Sequence, residues 1–450
     1  MGLLSGLRAS YDKRAMATPF VPVRPAPKKK VPGSTVALIA VLLAGLALRA
    51  ALIPLPGRVG DIRTYMGWFD ILRRYGTHGL YQHVEPVSGY VINYPPVYPI
   101  ILAITARVYT ALPSPFQNHD VLVALLKAPA IVADIAMAAL AYAIVLRWKS
   151  RKEALAAAAI AAFGPWTWLI SAVWGQVDAV SALFLMIALA FAVRERFTLA
   201  WSFLAIAILL KPFPLVVAPL LLVWQIERQG ASPRLAFGPL SSFAIAYVTS
   251  LPFAPTANPL GVFHWLVTIV QGGHALFPFT SVSALNVYTI AGRFWVPDAG
   301  SVFGLPLRDW GFVALTALIA SITVVLAQRS TLRSPGEREQ AFVASAFLVL
   351  AATYMVLTRM HERYLFPALA LAPLTWFVAG VPRLVLAAML ATFTMSCVFG
   401  LTGTLNGYWH GLGLLIAAMS SVNVAGFAVL LSSYVTTSKR VASTNLGPVA

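Results

Sequence analysis

The sequence predicts an all-α protein embedded in a membrane, with about twelve transmembrane helices and one further helix lying on the outer surface. Three observations predict it. Hydrophobic residues make up 59% of the 450 and charged residues 11%, whereas soluble chains run near 45–50% apolar and about 25% charged. The apolar runs follow one another with only short polar joints between them. Lys and Arg gather in alternate joints, as they do in loops that stay on the cytoplasmic side.

Each element follows in order. Residues 1–34 are polar and basic, with Arg24 and Lys28 to Lys30 close to the first apolar run. That run, Val36 to Pro54, is about long enough to span a bilayer. It lacks a small-residue cleavage site after a short core and reads as an uncleaved anchor. Its basic flank places the N-terminus in the cytoplasm. The other basic joints are Arg147 to Lys152, Arg194 to Arg196, Arg228 to Arg234, Arg329 to Arg338, Arg383 and the tail at Lys439 and Arg440. Together with the N-terminal tail they hold about two thirds of the 33 Lys and Arg.

This pattern settles an ambiguity. Tyr94–Leu112 and Val121–Val145 are both apolar and helical in pattern. If both crossed, the 147–152 cluster would face outward. Tyr94–Leu112 is therefore expected on the outer surface and Val121–Val145 as the second span. The remaining spans are expected near 154–172, 178–193, 197–210, 213–226, 235–253, 310–327, 341–357, 364–380, 384–402 and 411–434. The two short ones meet at Lys211-Pro212, where proline breaks a helix, so a hairpin with a partly buried apex is expected. The whole is one unit over residues 35–435. Its outer loops are 56–120 and 254–309, and its tail, 436–450, is cytoplasmic. The 254–309 loop carries five prolines and several aromatics and is expected to fold over the outer face.

Composition also excludes some classes. The formal net charge of +18 belongs to the cytoplasmic joints rather than to a nucleic-acid surface. The one cysteine, Cys397, excludes a disulfide within the chain and any CxxC motif.

The topology sorts the polar residues. Asp61, Asp70, His78, His83, Glu85, Tyr94, Gln176, Asp178, Lys211, Arg359, His361, Glu362 and Arg363 fall outside. Charged groups at or near membrane depth are costly and mark functional cavities. Asp61, just after the first span, is suited to be a general base, or else pairs with Arg63. Asn93-Tyr94-Pro95-Pro96 opens the surface helix. Trp174-Gly175-Gln176-Val177-Asp178 sits at an outer helix junction, where Asp178 is either functional or an N-cap. Lys211 either snorkels or meets an anion. Arg359-Met360-His361-Glu362-Arg363 packs four ionisable groups into five positions at the outer end of a span. Arginine forks match phosphate oxygens. His361-Glu362 lacks the second histidine of a zinc-protease motif.

Taken together, the early outer Asp, Tyr-Pro-Pro, Trp-Gly-Gln-x-Asp, Lys-Pro-x-Pro and the late His-Glu-Arg-Tyr resemble the GT-C superfamily of membrane glycosyltransferases. Within it the chain looks closest to bacterial polyprenyl-phosphate-mannose-type mannosyltransferases. It is more distantly similar to lumenal dolichyl-phosphate-glucose glucosyltransferases with their late His-Glu-Lys. The resemblance spans about residues 36–380. It implies an outer jaw helix, matching the 94–112 segment, a multi-pass protein of the bacterial plasma membrane, a polyprenyl-phosphate-linked sugar donor, with mannose the sugar the resemblance suggests, and inverting transfer on the outer side. Asp61 matches the catalytic carboxylate and Asp178 a second acidic position. No Glu adjoins Asp61 as it does in protein mannosyltransferases, and no Asp-x-Asp occurs at 176–178; the second departure counts against metal dependence, and no cofactor is expected. Inverting transfer needs one base on the acceptor hydroxyl and positive charge where the phosphate leaves. Asp61 would be the base. Arg363, Arg359, His361 and Lys211 would hold the phosphate. Glu362, Tyr94, Gln176 and Trp174 would line the substrate. The acceptor is open between glycan, glycolipid and protein. The rival class is a secondary transporter or lipid flippase, which would show a repeat relating its halves; none is apparent.

Overall fold

The computed structural model describes residues 33–86, 88–330, 334–402 and 409–445. The expected N-terminal tail and Arg333 lie outside the described residues, as do the side chains of Lys439 and Arg440. The described chain is all-α apart from a two-stranded hairpin pairing Ser301–Val302 with Leu305–Pro306. Among the described residues, seven helical stretches are long and apolar enough to cross a membrane: Gly33–Leu52, His119–Val145, Arg151–Trp174, Leu307–Gln328, Gly336–Val356, Arg383–Leu401 and Leu412–Thr436. Each coincides with an expected span.

The other five expected spans take a different form. Residues 178–193, 197–210, 213–226 and 235–253 become α7 (Asp178–Ala192), α8 (Phe197–Ile208), α9 (Ala218–Gln229) and α10 (Phe237–Ser250). They hold 15, 12, 12 and 14 residues. A 12-residue helix is only about 18 Å long. Residues 364–380 are not one helix. They hold two four-residue turns, Phe366–Leu369 and Ala372–Thr375, each with a proline, Pro367 and Pro373, at its start. Each proline removes an amide donor and clashes with the preceding turn. The broken backbone is tolerated because the segment lies inside the protein: Leu365, Phe366, Leu369, Leu371 and Leu374 are fully buried.

The helices that frame the site pack through small side chains. α4 (His119–Val145) packs on α5 (Arg151–Phe163), and both carry fully buried alanines, Ala138 and Ala141 on α4 and Ala154, Ala157 and Ala158 on α5. Small residues let the two backbones approach closely. α5 is started by a capping box in which Ser150 and Glu153 satisfy each other's backbone donors. α3 (Val97–Ala111), the expected surface helix, buries Val97, Tyr98, Leu102, Ala106 and Tyr109 on one face and exposes Ile104 and Val108.

The 254–309 loop is largely ordered. It opens with α11 (Pro259–Ala275), a 17-residue apolar helix that sequence reading left inside a loop. After it, residues 276–306 strap the late polar motif. Arg359 N donates to Phe279 O at 2.8 Å and Val282 N to Met360 O at 2.9 Å, with bridges from Val282 and Ser283 to His361.

Candidate active site

Asp61 stands in the first turn of α2 (Val59–Gly79). Its Oδ2 accepts from Trp174 Nε1 and from Gln176 Nε2, each at 2.6 Å. The pairing with Arg63 does not form; Arg63 lines a separate groove with Asp70 and Arg74. The helix after α5 explains how Trp174 and Gln176, two positions apart, both reach Asp61. Residues Leu169–Trp174 form a π-turn, and the amides of Gly175 and Gln176 both bond to Ile170 O, at 3.1 and 2.9 Å. Gly175 closes the turn at φ 88°. A Cβ there would sit 2.7 Å from Ile62 Cδ1, so both conformation and space require glycine. π-turns concentrate at functional sites. Gln176 is oriented from both ends, since its Oε1 accepts from Tyr65 OH at 2.8 Å and from Lys211 Nζ at 3.3 Å.

Arg363 supplies the opposing charge. Its Nη1 donates to Glu362 Oε1 at 3.0 Å, and its guanidinium lies 5.5 Å from the Trp174 ring centroid. Its Nε is buried and without a hydrogen-bond partner. Burial raises the Asp61 carboxyl, but Arg363, the bonds from Trp174 and Gln176, and Lys211 outweigh it and hold it below the usual value of 3.8. Burial pushes Glu362 above its usual 4.5, with Arg363 only partly offsetting it. Burial, Arg363 and Lys211 together push His361 well below 6.5, which keeps the imidazole neutral at neutral pH.

These groups line one polar cavity of about 450 Å³. Asp61, Tyr94, Trp174, Gln176, His361, Glu362 and Arg363 all border it. It adjoins a more apolar groove of about 300 Å³, walled by Leu210, Leu215, Val216, Val270, Phe312 and Leu315. Asn93, Tyr94, Phe277, His361 and Tyr364 belong to both.

Three expected site residues stand elsewhere. Asp178 borders neither space. Nor does it cap: the N-cap of α7 is Val177, without a side-chain bond. Both Asp178 oxygens lie 2.9 Å from Lys211 Nζ. The two opposite charges satisfy each other, so the pair holds the α7 start to the Lys211-Pro212 break. Lys211 borders the groove, but its charge is committed to Asp178. Arg359 also borders the groove, at φ 63°. It is held by Asp298 at 2.6 and 3.2 Å and by the backbone oxygen of His274 at 3.0 Å.

Sequence reading missed other residues. Arg58 lines the cavity and donates to Gly400 O; an arginine on the outer side, against the positive-inside trend, was the available signal. Arg49 and Asp134, inside two apolar runs, form a fully buried pair at 2.8 Å. Arg49 also donates to Ala162 O at 2.7 Å and Thr167 Oγ1 at 2.9 Å, while Ser171 Oγ donates to Asp134 at 2.5 Å. The network thus clamps α1 (Gly33–Leu52) and α4 onto the π-turn that aims Trp174 and Gln176. Lys127, also buried, donates to Ile53 O and Leu55 O and fixes the link into Arg58 and Asp61. Among the described residues no three His, Cys, Asp or Glu converge as a metal ligand set.

No family model matches the chain, and no curated protein does. Among solved structures it is similar to ArnT from Cupriavidus metallidurans bound to undecaprenyl phosphate, at 15% identity over 93% of this chain and 80% of that one, with a TM-score of 0.45. It is also similar to the Archaeoglobus fulgidus oligosaccharyltransferase tethered with an acceptor peptide. There the identity is 11% over 88% of this chain and 55% of that one, with a TM-score of 0.42. At these identities and scores the functional reading rests on the site's own geometry.

Proposed function

We propose that the chain is an inverting membrane glycosyltransferase of the GT-C type, which moves a hexose, mannose by the motif resemblance, from a polyprenyl-phosphate sugar to an acceptor hydroxyl on the outer side of a bacterial plasma membrane. The observation that carries the reading is one arrangement. A carboxylate held ionised by Trp174, Gln176 and Arg363 shares a cavity with an arginine that has a buried, unpartnered N–H. That cavity opens into an apolar groove.

The chemistry follows from charge. The acceptor oxygen attacks the anomeric carbon, the bond from that carbon to the phosphate oxygen breaks, and Asp61 takes the hydroxyl proton. The lipid phosphate leaves with the electron pair, so it needs a cation rather than an acid. Arg363 supplies the cation, with neutral His361 and Tyr364 at the neck between the two spaces. The groove suits a polyprenyl chain, whose length has no other place in a polar cavity. The decisive experiment is transfer from a labelled polyprenyl-phosphate hexose by purified protein. Asp61→Asn keeps the side-chain shape and removes the proton acceptor, and general-base catalysis typically contributes about 10²–10⁴-fold. Transfer should fall by that range with lipid-phosphate binding retained. A residual rate above about a tenth of wild type would remove Asp61 from the role.

A further inference from the structure

One wall of the polar cavity has a composition of its own. Trp68, Tyr90 and Trp295 line it with Thr64, Ser88 and Ser283, and none of the six carries a charge. Trp68 is 4% exposed, and its buried indole N–H has no hydrogen-bond partner. A buried donor left unpaired is costly, so it marks a place where a partner arrives. Trp295 is presented differently. It sits at φ 52°, its backbone N–H donates to Ser281 O at 2.9 Å, and its indole N–H donates to Ser283 Oγ at 3.2 Å. A bulky residue held at positive φ on a strapped loop is a fixed aromatic surface rather than a mobile one.

Resting on the transferase reading, we infer that this wall seats a neutral sugar ring, so that the acceptor is a carbohydrate hydroxyl rather than the side chain of a protein. Aromatic faces pack against the C–H face of a pyranose or furanose, while an orphan N–H and small hydroxyls meet its hydroxyl groups. A peptide bound by strand addition would instead need free backbone partners along an extended edge. The strand-like stretch on this border, Val282–Ser283, is already paired with His361.

The test uses the full chain in lipid nanodiscs, free of sugar-based detergent. Binding of methyl mannoside, methyl glucoside, methyl galactoside and a neutral Ser/Thr-containing peptide is titrated by saturation-transfer NMR, beside binding of polyprenyl monophosphate. At least one glycoside should bind saturably and the peptide should not. Trp295→Ala should weaken that glycoside about tenfold, as expected for losing an aromatic platform. Trp68→Phe, which keeps a ring and deletes only the N–H, should weaken it by a smaller factor. Both variants should bind polyprenyl monophosphate as wild type does, which also reports that they are folded. Binding of the peptide in place of the glycosides, binding of no glycoside, or equal glycoside binding in wild type and both variants overturns the inference. Failure of wild-type protein to bind polyprenyl monophosphate strikes the donor reading instead, and is scored separately.

Discussion

At the scale of single residues, Arg363 and Glu362 set the charge balance around Asp61. Arg363→Ala should weaken lipid-phosphate binding strongly, since removing one partner from a buried charged set costs about 3–5 kcal/mol. Arg363→Lys should restore it only in part, because an ammonium lacks the planar fork. Equilibrium binding of polyprenyl monophosphate measures both, and wild-type affinity in the alanine variant would clear Arg363 of the role. The pH dependence follows from two opposite shifts. Glu362 is raised above 4.5 and Asp61 lowered below 3.8, so as pH falls Glu362 takes a proton first. That proton neutralises the partner of Arg363 while Asp61 remains ionised. Protonation of Glu362 therefore contributes an acid limb to kcat/KM that should disappear in Glu362→Gln, separate from any limb of His361, which is lowered from 6.5. An unchanged limb in that variant assigns it to another group.

At the scale of elements, the π-turn after α5 and the clamp beneath it decide where Trp174 and Gln176 point. Arg49 and Asp134 are fully buried together. Arg49→Met alone leaves a carboxylate unpaired and should cost about 3–5 kcal/mol. The double variant Arg49→Met with Asp134→Leu removes both charges, and such replacements are often neutral or stabilising. It should recover the thermal midpoint yet keep transfer depressed, because Ser171 then loses its acceptor on the π-turn. Thermal unfolding and transfer, measured on the same nanodisc samples, separate the two effects. Recovery of both would make the pair a structural staple without influence on the site. α11 and the 276–306 strap both reach the site's border through Arg359, which donates to His274 O on α11 at 3.0 Å and to Asp298 on the strap. Arg359 and Asp298 hold the backbone that presents His361 and Glu362.

At the scale of the whole molecule, the expected orientation places α5's start inside and the 276–306 strap outside. Both are tested in a Cys397→Ala background, which removes the chain's one native thiol. With an impermeant thiol reagent on intact cells, Ser301→Cys should label and Arg151→Cys should not; both positions are exposed in the fold. Labelling at 151 with protection at 301 would invert the molecule and move the cavity to the cytoplasmic side.

What the sequence by itself determined was class and rough placement. Long apolar runs, set off by basic joints, marked the seven long helices, because hydrocarbon thickness imposes a length that composition can reveal. Outer-side arginines against the positive-inside trend marked the 359–363 cluster, and a carboxylate held at the membrane surface marked Asp61, because charges there are costly without a use. Tertiary structure alone decided the partners. Asp178 and Lys211 each looked available, yet they sit 2.9 Å apart and satisfy each other. Arg359 looked like a phosphate ligand, yet Asp298, about sixty positions earlier, takes its charge. Arg49 and Asp134 lie 85 positions apart inside runs that read as plain membrane spans, and only helix packing brings them together. Segment 364–380 read as a span because apolarity does not distinguish a helix in lipid from a broken backbone in a protein core. A charge's role depends on its nearest opposite charge, and that distance is set by the fold rather than by position in the chain.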